Sequence, residues 1–225
     1  YEAVVRLGIC TDTGDAEGAV IGTAAVDVAE DDVFRVLPQF TGVIRQVPPM
    51  HSALKRNGRP LYELARQGIE IERESRIVTI HAIDCLGFGG DRLTLRVACS
   101  KGTYIRVLVA DIGQALGCGA HLAGLRRTRV GDLGLDSAVT LPQLEALGEV
   151  GRAGCLRPVD ALLRSLPAVA LQGEAAERFR HGNPVDLPAG PSGKIRVYVD
   201  GTLIGVGESA ADGRLWPRRL VHLTH

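Results

Sequence analysis

Two aliphatic runs, Arg76–Phe88 and Arg92–Ser100, are separated only by Gly89-Gly90-Asp91. Both are rich in β-branched and aliphatic residues, and the Gly-Gly-Asp step between them is hairpin-turn chemistry. The pair predicts a long antiparallel hairpin, so any fold for this chain has to be built around the sheet that holds it. Directly after it, Ile105, Leu108, Val109, Ile112 and Leu116 recur at helical spacing, with Gly117 placed as a C-cap. Upstream, Tyr1–Cys10 alternates as a strand and runs into turn residues, Thr11-Asp12-Thr13-Gly14-Asp15. Asp31–Gln39 reads as a short helix opened by acids, and Pro60 starts another through Tyr62, Leu64 and Ala65 that Gly68 ends.

Beyond the long helix, Thr140 can cap a helix through Leu144 and Leu147, after which the signals weaken from Gly148 to Pro167. A domain boundary is therefore expected near Leu166, giving domains 1–165 and 166–225. The tail offers a helix at Glu174–Arg180, strands Lys194–Val199 and Leu203–Glu208 joined by Asp200-Gly201, and a last strand Arg214–Leu223. These elements predict an α+β protein: a mixed, mainly antiparallel sheet with flanking helices, followed by a small β-rich module.

Composition narrows the class. At 45% hydrophobic and 23% charged, with no run of about 18 apolar residues, the 225 residues suit a globular chain and offer no membrane-spanning helix. The opening stretch lacks the pattern of a secretory signal. The chain starts on Tyr1 and its one methionine is Met50, so it reads as processed or cut. Cys10, Cys85, Cys99, Cys118 and Cys155 are odd in number, widely spaced and without a Cys-x-x-Cys. Reduced thiols in a cytoplasmic protein without metal are expected.

Equal numbers of basic and acidic residues, 26 of each, conceal an uneven distribution. Tyr1–Val36 carries a net −6, while Phe40–Gly68 and Lys101–Val130 each carry +4. Such segments are either solvated faces or anion-binding surfaces. Lys101-Gly102-Thr103-Tyr104-Ile105-Arg106 places a Lys, a Tyr and an Arg at a strand-to-helix corner, where free N–H groups favour anions. Arg106 lies in an otherwise apolar first turn and needs an acid, either Asp111 or another carboxylate of the chain, or a phosphate. Tyr104 is either core or a pocket aromatic. The arginines of Leu125-Arg126-Arg127-Thr128-Arg129 are expected to reach solvent or phosphate, and Gln46–Lys55 is too Pro-rich and basic to be core. His51, alone in that loop, is either catalytic or incidental. No nucleophile triad and no carboxylate pair has a local signature.

The ordered set of motifs resembles the bacterial tRNA pseudouridine-55 synthases, the TruB family, from Tyr1 to about Leu223. Four blocks carry the likeness. They are Tyr1-Glu2-Ala3-Val4 with Thr11-Asp12-Thr13-x-Asp15-x-x-Gly18; Gln46-x-Pro48-Pro49 with Ser52-Ala53-x-Lys55, Tyr62 and Ala65-Arg66-x-Gly68; Ser100–Arg106 with Asp111, Ala120-His121 and Leu125-Arg126-Arg127; and Gly182-Asn183-Pro184-Val185 with Gly205-x-Gly207-Glu208 and Pro217-Arg218-Arg219. The resemblance implies an isomerase without cofactor or metal that flips a uridine out of the tRNA T-arm and rejoins its sugar to carbon 5. By position, Tyr1 and Tyr104 would contact the flipped uracil, one by stacking and one in proton transfer. Leu125 would close the apolar side, and Arg106 would pair with the nucleophilic aspartate. Lys55, Lys101, Arg126 and Arg127 would hold RNA, as would the tail, which resembles a PUA-type β-barrel. No obligate protein partner is implied, and the protein would be a monomer. The family's nucleophile sits in His-x-Gly-x-Leu-Asp-Pro, and no aspartate here has that context. The resemblance therefore places the nucleophile upstream of Tyr1, makes the chain an N-terminally truncated fragment inactive alone, and implies an unpaired sheet edge. The alternatives are a non-catalytic RNA-binding protein of the same descent and the related guide-RNA-dependent synthases.

Overall fold

The computed structural model describes residues 1–56, 58–187 and 190–221. They form two compact units, residues 1–128 and 129–225.

In the first unit the expected strand Tyr1–Cys10 is two strands, β1 (Glu2–Leu7) and β2 (Ile9–Thr11), because Gly8 between them takes φ +78°. That backbone state strains any L side chain, and a Cβ at Gly8 would also lie 2.7 Å from the Ala24 carbonyl oxygen. β2 pairs with β3 (Val20–Thr23), and α1 (Glu30–Val36) follows, shorter than expected because Pro38 turns its continuation into a 3₁₀ turn at Leu37–Phe40. Next come β4 (Gly42–Gln46), a two-residue hairpin of β5 (Lys55–Arg56) and β6 (Arg59–Pro60), and α2 (Leu61–Arg66). The expected hairpin is present as β7 (Arg76–Gly89) and β8 (Arg92–Cys99), antiparallel, with Gly90 at φ +59° in the turn. The helix after it, α3 (Ile105–Ala115), leads into β9 (Ala120–Arg126). β9 escapes the sequence reading because Ala-His-Leu-Ala-Gly-Leu-Arg has little β-propensity of its own. It is a strand because β1 pairs with it from Glu2↔Arg126 to Leu7↔Ala120.

The main sheet has the order β4-β7-β8-β1-β9, and every neighbouring pair is antiparallel. One face alternates inward through Ala3, Val5 and Leu7 on β1 and Leu93, Leu95 and Val97 on β8. Ile105, Leu108, Val109 and Ile112 of α3 cover it together with Val33 and Val36 of α1. α3 lies close against β9 because Gly113 faces Ala120. A Cβ at Gly113 would fall 2.4 Å from both the backbone N and the Cβ of Ala120. Backbone cannot step aside as a side-chain tip can. Gly113→Ala is therefore expected to destabilise this unit by about 1–3 kcal/mol, read as a lower urea midpoint at unchanged slope. A coincident midpoint would contradict so close an approach.

The second unit begins with β10 (Arg129–Val130) and β11 (Leu133–Gly134), then α4 (Leu141–Ala146) and α5 (Glu149–Gly154). Thr140 caps α4 as expected: its hydroxyl accepts from the Gln143 N–H while Gln143 Oε1 accepts from the Thr140 N–H. α5 was not legible in the sequence. Arg152 holds it against α4 by donating to the Leu144 and Glu145 carbonyls. The tail sheet, β12-β14-β15-β16-β13, comprises β12 (Ala168–Ala170), β13 (Val185–Asp186), β14 (Gly193–Val199), β15 (Thr202–Ser209) and β16 (Arg214–Leu220). It packs on α6 (Gly173–Arg180), whose Phe179 is fully buried in the same core. Segment 129–165 groups in space with the tail, and the expected boundary near Leu166 falls where the tail sheet begins. The expected end of the last strand, through Leu223, lies outside the described residues. All five cysteines are unpaired; Cys118 is buried and the other four are partly exposed.

Candidate active site

Antiparallel pairing brings four chain segments to one end of the main sheet. β1 starts there, and β8, β9 and β4 end there, in the registers Glu2↔Arg96, Glu2↔Arg126 and, at the edge, Gln46↔Arg76. Of the residues singled out in the sequence, this end gathers Tyr1, Lys101, Tyr104, Arg106, Leu125, Arg126 and Arg127. Lys55 is on the β5–β6 hairpin. Lys55, Lys101, Arg126 and Arg127 are exposed, and Leu125 is 48% exposed.

Arg106 is the centre of the constellation. Its partner is Asp15, with Nη1 2.8 Å from Asp15 Oδ2. The same Nη1 donates to the Thr13 carbonyl at 3.3 Å, and Nη2 donates to the His51 carbonyl. Three acceptors from two loops thus fix one guanidinium, which a planar fork can serve and a point charge cannot. Among the described residues, Nε and one N–H of Nη2 have no acceptor. Asp15 is tightly held in turn: its Oδ1 accepts from the Thr13 hydroxyl at 2.7 Å and from the Glu17 N–H at 3.2 Å. Burial alone would raise this carboxyl, but the Thr13 hydroxyl, the Glu17 N–H and the Arg106 guanidinium together hold it below its ordinary value. Asp111, the other candidate partner, is five residues along α3, about 140° round the helix from Arg106. It pairs with no cation among the described residues, and burial pushes its carboxyl up.

Tyr1 pairs with Val97 through both backbone groups, packs on the core, and carries the Arg127 guanidinium 5.0 Å from its ring centroid. Tyr104 is the N-cap of α3, half-buried, and its backbone is held by Gln46 of β4. Two residues the sequence reading placed elsewhere thus belong to the site. Asp15 stood only as a family mark, although the Thr-x-Asp spacing that ligates its carboxylate was visible. Gln46 stands in a stretch too Pro-rich and basic to be expected in the core, yet it is 3% exposed. His51 contributes its carbonyl to Arg106, and that contact does not draw on its ring.

Three family models match consecutive parts of the chain: "TruB family pseudouridylate synthase (N terminal domain)" over residues 1–105, "tRNA pseudouridylate synthase B C-terminal domain" over 106–164, and "Pseudouridine synthase II TruB, C-terminal" over 167–221. The tRNA pseudouridine synthase B of Dechloromonas aromatica is 70% identical across 99% of this chain and 75% of its own length. That of Aromatoleum aromaticum is 54% identical across 98% of this chain and 72% of its own. Among solved structures, a chain of a Cbf5–Nop10–Gar1 complex superposes with a TM-score of 0.66 at 27% identity, over 92% of this chain and 58% of that one. A chain of an H/ACA RNP bound to a substrate RNA superposes with a TM-score of 0.68 at 21% identity, over 99% of this chain and 65% of that one, and shares the fold. The chain spans less than two thirds of either solved chain. The motif blocks, the sheet-end constellation around Arg106 and the match of consecutive family domains along nearly its whole length agree: this chain belongs to the TruB family of pseudouridylate synthases.

Proposed function

We propose that the chain serves the isomerisation of a T-arm uridine of tRNA to pseudouridine, with its first 165 residues holding the flipped base and residues 166–225 adding RNA-binding surface. The observation that carries this reading is Arg106. Its guanidinium is already fixed by Asp15, Thr13 and His51, and it still presents Nε and one Nη2 N–H, enough to take a second carboxylate side-on. That second carboxylate is the family's nucleophile, which none of the aspartates in these 225 residues matches in context. In this arrangement Tyr1 offers its ring to the uracil, backed by Arg127. Tyr104 contacts the base as well, one of the two tyrosines supplying the hydroxyl for the proton transfer at carbon 5, and Leu125 closes the apolar side. The exposed Lys55, Lys101, Arg126 and Arg127 meet phosphates, which fix the RNA without reading its bases.

The test is pseudouridine formation on a tRNA transcript, read by mass spectrometry. An intact parent synthase carrying this sequence is expected to convert the T-arm uridine. The 225-residue chain alone is expected to bind the same RNA and give no product above a no-enzyme control, since none of its aspartates has the sequence context of the family's nucleophile. Its affinity should fall roughly 150-fold between 50 and 200 mM salt if Lys55, Lys101, Arg126 and Arg127 each neutralise one phosphate. Turnover by the isolated chain would show that its own aspartates suffice.

A further inference from the structure

Gln46 stands in the Gln-x-Pro-Pro motif beside exposed basic residues, which makes it look like part of an RNA-contacting loop. Its burial argues otherwise. With 3% of its surface accessible it cannot reach a phosphate, and both ends of its amide are occupied. Oε1 accepts from the Tyr104 N–H at 3.0 Å and Nε2 donates to the Tyr104 carbonyl at 3.3 Å. Tyr104 opens α3 in an extended conformation, φ −100° and ψ 106°, and no side chain of the helix's own first turn caps it. Its N–H belongs to the group that a helix leaves without an intrahelical partner. A residue 58 positions earlier in the chain supplies that partner.

We propose that Gln46 is a positioning residue for Tyr104, setting the direction in which that side chain leaves the backbone. One hydrogen bond would fix a distance and leave the peptide free to swing. Two opposed bonds from a single planar amide fix its orientation as well. The amide is in turn anchored at the end of β4, in register with Arg76 of β7, so Tyr104 is referenced directly to the sheet on which Tyr1 begins. The Tyr104 carbonyl also accepts from the Leu108 N–H at 3.1 Å, so the clamp joins sheet and helix at the residue between them. Only Gln has this reach with both a donor and an acceptor: Asn is one methylene short, and an ionised Glu accepts but cannot donate. The role rests on the reading of Tyr104 as a group that contacts the flipped base.

The experiment compares Gln46→Met, which fills the same volume without either hydrogen bond, with the unsubstituted intact parent. Turnover number should fall about ten- to hundredfold, the scale of a misplacement of roughly 1 Å, while the Kd for tRNA stays within about twofold. In a Tyr104→Ala background, which lacks the side chain that the clamp aims, the same change should add less than about threefold. A merely structural role would multiply the two losses, and that result overturns the proposal. So does a parent-like turnover number, or a loss of tRNA affinity as large as the loss of turnover. If Gln46→Met does not fold, Gln46→Glu, which keeps the shape and the acceptor, carries the same comparison. No product from the unsubstituted parent would sink the functional reading itself, whereas an active parent with an indifferent Gln46 variant sinks the clamp alone.

Discussion

Arg106→Ala in an intact parent synthase is expected to lower the turnover number on tRNA by about a hundredfold or more and to leave tRNA affinity nearly unchanged. The asymmetry follows from where the residue sits. Its side chain is only 23% exposed and its donors point at Asp15, Thr13 and His51, so it has little surface to offer a phosphate. What it can offer is a pre-oriented pair of N–H groups for a second carboxylate, whose position decides whether attack on the sugar is in line. Arg106→Lys separates charge from geometry: an ammonium keeps the positive charge but cannot serve both loops and a new carboxylate at once, so most of the loss should persist. Acidification gives a parallel reading. The Asp15 carboxyl lies below its ordinary value, so its link to Arg106 is complete above the usual carboxylate range and is lost only as pH falls through that lowered value. At neutral pH the link is intact, and Asp15→Asn should therefore reduce turnover there without altering its pH dependence near neutrality. A full turnover number in Arg106→Ala would remove the residue from the mechanism.

The elements read from the sequence are those whose reasons are local. The β7–β8 hairpin announces itself through Gly89-Gly90-Asp91, α3 through its spaced aliphatic residues, and the start of α4 through Thr140. β9 and α5 have reasons elsewhere in the chain: one is a strand because β1 lies beside it, the other is a helix with Arg152 tied back to α4. The site divides in the same way. Arg106 was recognisable because an arginine in an apolar turn demands an acid, but which acid depends on how the loop after β2 folds back, and that is a tertiary fact. Gln46 was misplaced for a related reason, since a polar residue among prolines and basic residues looks exposed until β4 carries it inward. The glycines of Gly205-x-Gly207 were legible only as a family mark. In the structure their meaning is steric: a Cβ at either would come within 3.1 Å of the Phe179 ring, and within 2.4 Å of the Arg219 carbonyl oxygen at Gly205 or 2.6 Å of Leu215 at Gly207.

That packing makes Phe179→Ala the second large effect. Phe179 is fully buried among Leu171, Val185, Ile195, Val197, Ile204 and Leu215, so the tail has one small core with one aromatic ring at its centre. Emptying such a site costs about 3–5 kcal/mol, and the glycines that admit the ring have no side chains with which to refill it. A module of about 60 residues rarely holds more than about 3–5 kcal/mol in total, so the substitution should unfold it under conditions where the first unit stays folded. The chain carries its own reporter: its single tryptophan, Trp216, is on β16 opposite Glu208. Tryptophan emission of Phe179→Ala should already be that of the unfolded tail without denaturant, while the far-ultraviolet signal of the β7–β8 sheet still melts cooperatively on adding urea. An unshifted Trp216 transition would mean that the tail does not depend on its aromatic centre. If the prediction holds, the same variant in an intact parent separates the two surfaces assigned to RNA: tRNA affinity should weaken, while turnover at saturating tRNA, which depends on Arg106 and Tyr104 in the first unit, should be largely kept.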